Sequence, residues 1–225
     1  LMRSSAASDV YKRQNIREKD SIFGGTGRLR QSISYVMETY QPECLFIATS
    51  CVAGVIGDDA ESESAEAEMK YGIPVICIPY AGFLGGEYSE GYYKTAETII
   101  ERFFRPCEHE HNRILLLGDQ MGPEGQYVTE VKRLLSLLGL EVQGQFPGYL
   151  PFSEWANAPA AELAIVLGTT GQSDRMNGMA DLLEKKFGIH AVKDMYPIGW
   201  ENTCKWILEI GRLHKNVEKA KVIIE

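Results

Sequence analysis

Cys51 follows the apolar run Leu45 to Ala48 and precedes the acidic pair Asp58 and Asp59. A thiolate is a soft ligand suited to iron and iron-sulfur centres. Just past the carboxyl end of a strand, it also stands at the edge where open α/β sheets bind ligands. A buried free cysteine acting as a small hydrophobe is the plainer role for the same residue. Asp58 and Asp59 could divide acid and base work, because paired carboxylates split their pKa values. Capping a helix N-terminus is the commoner use of such side chains and the one favoured here. Cys107, His109 and His111 form a C-x-H-x-H run of ligand-type residues, but beside Pro106 in a polar stretch they read as a solvated linker. The loop bearing Gly82, Gly85, Gly86 and Gly91 lets backbone approach a bulky ligand or a neighbouring chain, yet it lacks the GxxxxGK[ST] or strand-linked GxGxxG arrangement of a phosphate cradle. Ser173, Asp174 and His190 make no nucleophile motif, and there is no GxSxG.

The elements that must position these residues alternate. Leu45–Ala48 reads as a buried strand, preceded by a helix over residues 27–40 with Leu29, Ile33, Val36, Met37 and Tyr40 on one buried face. A polar helix over 61–71 is ended by Gly72, and 74–78 is a second buried strand running into the glycine loop of 80–93. Helix 95–104 follows, then a polar hinge over 105–112. Beyond the hinge come strand 113–117, helix 125–138 with Val128, Val131, Leu134, Leu135 and Leu138 inward, and strand 140–146. A short helix at most over 151–158 leads to strand 163–167, helix 176–187, strand 189–192 and helix 198–213 bearing Trp206, Ile207 and Ile210. Cys44 and Cys77, at the entry to one strand and the middle of another, are expected in the core. This alternation predicts an α/β fold of two Rossmann-like parallel-sheet domains with helices on both faces. Residues 1–14 resemble a non-native tail, 15–108 the first domain, 109–213 the second, and 214–225 a charged connector to a further domain.

Composition narrows the function classes. The chain has 225 residues, 44% hydrophobic and 24% charged, with a net charge of −8. No clustered basic face is present, which argues against nucleic acid, and an acidic surface permits a locally basic protein partner. No apolar run approaches the roughly 20 residues of a membrane span. The five cysteines show no CxxC pair, so neither a disulfide framework nor a zinc ribbon is indicated, and reduced thiols in a cytoplasm are the natural reading.

The segment TSCVAGVIGDD, residues 49–59, resembles a cluster-ligand segment of the nitrogenase component 1 superfamily. Ile22-Phe23-Gly24-Gly25 with Leu29 is similar to that family's FGG segment. Ile73-Pro74-Val75, Gly82-Phe83-Leu84-Gly85 and Gly91-Tyr92 resemble its next strand and glycine-rich loop, and Pro197-Ile198-Gly199 with Thr203 its late-helix opening. The likeness runs collinearly over about residues 15–213. It implies that Cys51 is one thiolate ligand of an iron-sulfur cluster, of 4Fe-4S or P-cluster type, with Gly82 and Gly85 packed beside it. It also places two further cluster cysteines ahead of the FGG segment, where this chain has none. In the family's catalytic subunit a cofactor-binding cysteine and a histidine stand at positions that correspond approximately to Gly168 and Tyr92 here, so the resemblance points to the partner subunit or a paralogue. The implied function is an oxidoreductase subunit relaying electrons through a cluster at an interface with a homologous subunit, fed by an ATP-dependent iron protein. The chain alone is expected to be inactive. A cofactor-assembly scaffold without turnover shares these features, and a small-ligand-binding protein of two Rossmann-like halves shares the alternation without needing Cys51.

Overall fold

The computed structural model describes residues 25–49, 57–78, 88–118, 121–168 and 173–225. The chain divides into two compact units between Thr95 and Ala96.

In the first unit, helix α1 (Thr26–Tyr40) precedes strand β1 (Leu45–Ala48), helix α2 (Ala60–Tyr71) and strand β2 (Val75–Ile78). The two strands pair in parallel, Leu45 opposite Val75 through Ala48 opposite Ile78. Ile33 of α1, Ala67 of α2 and Val75 form a small core against which Leu29, Met37, Leu45 and Ile47 pack. Three expectations change here. β1 is not buried throughout: Leu45 and Ile47 turn to this core, while Phe46 and Ala48, on the alternate face of a period-two strand, are exposed. Tyr40 leaves the buried face of α1 and lies exposed, edge-on to Tyr35, because the helix ends there with Gln41 at φ 47°. Cys44 and Cys77 are partly buried rather than sealed in the core. Gly72, at φ 70°, ends α2 in the left-handed conformation that glycine adopts without strain.

Helix α3 (Tyr88–Phe103) begins earlier than residue 95, so Gly91 lies in the helix and not in the loop. Its carbonyl accepts a hydrogen bond from Thr95 Oγ1 at 2.7 Å. Glycine disfavours a helix by about 1 kcal/mol, and burial of Tyr93, Ala96 and Ile100 at helical spacing outweighs that cost.

The second unit carries strand β3 (Glu110–Leu117), helix α4 (Gln126–Leu138), strand β4 (Glu141–Phe146), the short helix α5 (Phe152–Trp155) and a 3-10 turn at Ala158–Ala160. Strand β5 (Ala161–Val166), helix α6 (Ser173–Phe187), strand β6 (His190–Val192), helix α7 (Trp200–Leu213) and helix α8 (Val217–Ile224) complete it. Its sheet runs β4-β3-β5-β6 with every pair parallel. Apolar runs without alternation suit strands covered on both faces. Ile114, Leu116, Leu163 and Ile165 meet Val128 and Leu135 of α4 and Trp206 of α7. β3 takes up residues 110–112 of the expected hinge, since Glu110 already pairs with Ala161. The charged tail forms helix α8: its Ala220 is fully buried against Gly211 of α7, where an added Cβ would lie 2.5 Å from the Ala220 Cβ. Among the described residues no helix is long and apolar enough to cross a membrane.

Candidate functional site

The two aspartates of the IGDD turn have separate tasks. Asp59 is the N-cap of α2, its carboxylate accepting the Ser62 backbone N–H at 3.0 Å. Hydrogen bonds from the Ser62 backbone and side chain hold the Asp59 carboxyl below its ordinary range, against a small opposing effect of desolvation. Asp58 reaches away from α2. It accepts the Gly25 N–H at 2.7 Å and the Thr26 hydroxyl at 3.4 Å, placing an anion at the amino end of α1. Gly25 supplies no side-chain cap of its own. A Cβ at Gly25 would lie 2.5 Å from Asp58 Oδ2, so the absent side chain is what admits the carboxylate. The Gly57-Asp58-Asp59 turn is thereby tied to Gly25 at the end of the FGG segment, two motifs that sequence alone left unconnected.

A second tie runs between the same helices. Glu63 of α2, 4% exposed, receives Arg30 Nε at 2.6 Å, while Arg30 Nη2 stands 3.4 Å from the exposed Glu66. The Glu68 carboxylate accepts the Val75 N–H at 2.9 Å and fixes the start of β2. These contacts hold α2 against α1 and the start of β2, and the Thr49 N–H at the end of β1 donates to the Ile78 carbonyl at 3.2 Å. Cys51, Gly82 and Gly85 themselves lie outside the described residues.

Among the described residues no cysteine joins two other ligand-type side chains. Cys77 is half buried, and desolvation pushes its thiol up, with Glu61 and Asp59 adding to the effect and a Ser64 hydrogen bond opposing it. A thiol so placed resists the deprotonation that ligation requires. Cys107 is exposed. Its run is not a ligand set: His109 Nε2 pairs with the Phe187 carbonyl at 3.0 Å, whereas His111 turns to Glu162.

Gly168 follows β5 at the carboxyl edge of the second sheet, and the Tyr196 ring fills the space beside it. A Cβ at this position would lie 2.6 Å from that ring. Burial pushes the neighbouring Tyr127 phenol up, with a backbone hydrogen bond at Gly168 opposing. A side chain at residue 168 would have to displace the Tyr196 ring. Tyr92 lies in α3 with its ring edge-on to Tyr93 at 5.5 Å.

Comparison with known proteins agrees with this frame. The family model of nitrogenase component 1 type oxidoreductases matches residues 8–225. The nitrogenase iron-molybdenum cofactor biosynthesis protein NifE of Clostridium pasteurianum is 32% identical over 222 residues, 96% of this chain and 47% of that protein. The nitrogenase molybdenum-iron protein alpha chain of Methanosarcina barkeri is 27% identical, over 92% of this chain and 38% of its own length. The solved structure described as nitrogenase Cp1 at pH 6.5 superposes with a TM-score of 0.77 at 25% identity, covering 93% of this chain and 40% of that one. The chain thus spans less than half the length of these relatives. With its parallel α/β units and a match along nearly all of its residues, the chain belongs to the nitrogenase component 1 type oxidoreductase family.

Proposed function

We propose that the chain is part of a cluster-holding subunit of a nitrogenase component 1-like complex, acting as a scaffold during metal-cofactor assembly. Cys51 provides one thiolate to an iron-sulfur cluster, with Gly82 and Gly85 beside it, and other ligands come from outside this chain. The observation that carries the scaffold reading is Gly168 with the Tyr196 ring against it: the resemblance puts the catalytic subunit's cofactor-binding cysteine approximately here, and a side chain at 168 would meet that ring at 2.6 Å. The 32% identity to a cofactor biosynthesis protein supports the same reading. Bound at Cys51, the cluster would supply a store for single electrons. The chain's own part is to fix the start of α2, which follows Cys51 in sequence, against α1 through Asp58 on Gly25 and Glu63 on Arg30.

A second reading, relay of electrons to a reducible substrate, draws support from the likeness to molybdenum-iron protein alpha and beta chains, the latter from Methanococcus maripaludis at 23% identity. In both readings the partners are a homologous subunit and an ATP-dependent iron protein, and the compartment is the cytoplasm.

The test is anaerobic reconstitution of the chain extended to family length together with its partner subunit, with iron counted for the native protein and for Cys51→Ala. A lower iron content in the variant is expected, and an unchanged content would overturn cluster binding at Cys51. Substrate-dependent electron consumption with the iron protein present would favour relay over the scaffold.

A further inference from the structure

The four histidines of the chain gather at the amino end of the four-stranded sheet, the edge opposite Gly168. His111 lies near the start of β3 and Glu162 near the start of β5, and His214 directly follows α7. His111 Nδ1 and His214 Nδ1 each stand 3.0 Å from Glu162 Oε2. The two imidazoles are stacked, centroids 4.4 Å apart with 23° between their planes. His214 is 5% exposed, and the three ligand atoms lie within 4.8 Å of one another.

A carboxylate simply pinning two histidines accounts poorly for this geometry. The same Oε2 also accepts the Asn112 N–H at 3.0 Å, so three nitrogens converge on an oxygen with two lone pairs. The backbone that delivers them is irregular. The β3–β5 register slips between Glu110, opposite Ala161, and Ile114, opposite Leu163, and within that slip Asn112 sits at φ 77°. A positive φ is uncommon outside glycine and asparagine is among the residues that adopt it, and bulges of this kind re-aim side chains. Here the bulge turns His111 and the Asn112 N–H onto Glu162.

We propose that His111 Nδ1, His214 Nδ1 and a Glu162 carboxylate oxygen bind one divalent first-row transition ion of the zinc type, with water completing the coordination. Two imidazoles and a carboxylate are a borderline donor set typical of such ions. The ion takes the nitrogen lone pairs and so removes the crowding of donors on Oε2, while Asn112 N–H remains to orient the carboxylate. Water reaches the site through an open cleft also lined by His109, His190, Arg212 and Lys215. Arg212 is held by Glu209 through two hydrogen bonds, at 2.9 and 2.6 Å, which offsets its charge. Lys215 is the cation that works against the site. His190 is turned to Glu184 at 3.2 Å and is not a ligand. The site clamps β3, β5 and the end of α7 together and is independent of any cluster at Cys51.

The test is calorimetric titration of the chelator-treated whole chain, free of affinity tags, with zinc(II). One zinc per chain is expected, with affinity lowered at least about tenfold by His111→Ala and by Glu162→Gln and unchanged by His190→Ala. His111 is exposed, so its variant decides the matter if Glu162→Gln fails to fold. Cobalt(II) in place of zinc should give the absorption of a nitrogen and oxygen donor set. Absence of zinc binding, equal affinity in His111→Ala, or a thiolate charge-transfer band signalling a cysteine ligand such as Cys107 would each overturn the proposal.

Discussion

At the scale of single residues, the acidic turn after Cys51 works through two carboxylates with different partners. Asp58 grips a backbone N–H that lies 33 residues away, and Gly25 is the position that admits it. Asp58→Ala should lower the stability of the first unit by about 1.5–3 kcal/mol, the range for a hydrogen bond to a charged group. Gly25→Ala should displace the same carboxylate, so the pair in a urea-unfolding double-mutant cycle should lose less than the sum of the single losses; strict additivity would show that they do not act through one contact. Asp59 contributes to the pH dependence of stability. Its carboxyl is lowered by the Ser62 hydrogen bonds, so its contribution is fully present above the unfolded carboxylate value of about 3.9 and is lost as pH falls through the lower folded value. Asp59→Asn keeps an acceptor but not the charge, and unfolding midpoints measured from pH 7 to about pH 2.5 should fall less steeply with acid than those of the native chain.

At the scale of elements, α2 shows why a helix that is polar all round still belongs to a core. Its small residues, Ala60, Ser64 and Ala67, let it lie close against its neighbours, and Glu63 is buried because Arg30 of α1 meets it. A buried carboxylate that loses its partner is costly, whereas an exposed ion pair contributes little. Arg30 contacts one of each, with Glu63 side-chain exposure at 5% and Glu66 at 61%. Arg30→Ala should therefore lower the thermal midpoint of the first unit clearly, while Glu66→Ala leaves it nearly unchanged in the same melting experiment. Equal effects of the two would mean that the α1–α2 tie does not depend on the buried pair. The helix α3 makes a related point about reading sequence: glycines and tyrosines at 86–93 signal a loop locally, yet Tyr93 and Ile100 share a buried face and extend the helix back to Tyr88.

At the scale of the whole molecule, the two units differ in how much backbone they protect. β1 and β2 form a two-stranded sheet with β1 half exposed, whereas β3 and β5 run between neighbours, with Leu115, Leu116 and Leu163 fully buried. Amides of β1 should exchange with deuterium well before those of β3 and β5 at neutral pH, and protection of β1 equal to that of β3 would contradict the ordering. Much of this architecture was legible in the amino acids. The strand and helix alternation, the inward face of α4, the Gly72 stop and the Asp59 cap all follow from periodicity and local backbone chemistry, which a short window of residues records. Family membership was legible too, through collinear motifs. The partner of Asp58, the ring against Gly168 and the meeting of His111, Glu162 and His214 were not, since each joins residues brought together by strand register, a bulge or the return of a helix. Nothing in the Cys-x-His-x-His run distinguishes His111 from His109; a register slip in β3 does. The sequence alone thus determined which segments are strands and helices, because those preferences are local, and the tertiary structure decided which side chains meet, because distance in the chain carries no record of contact.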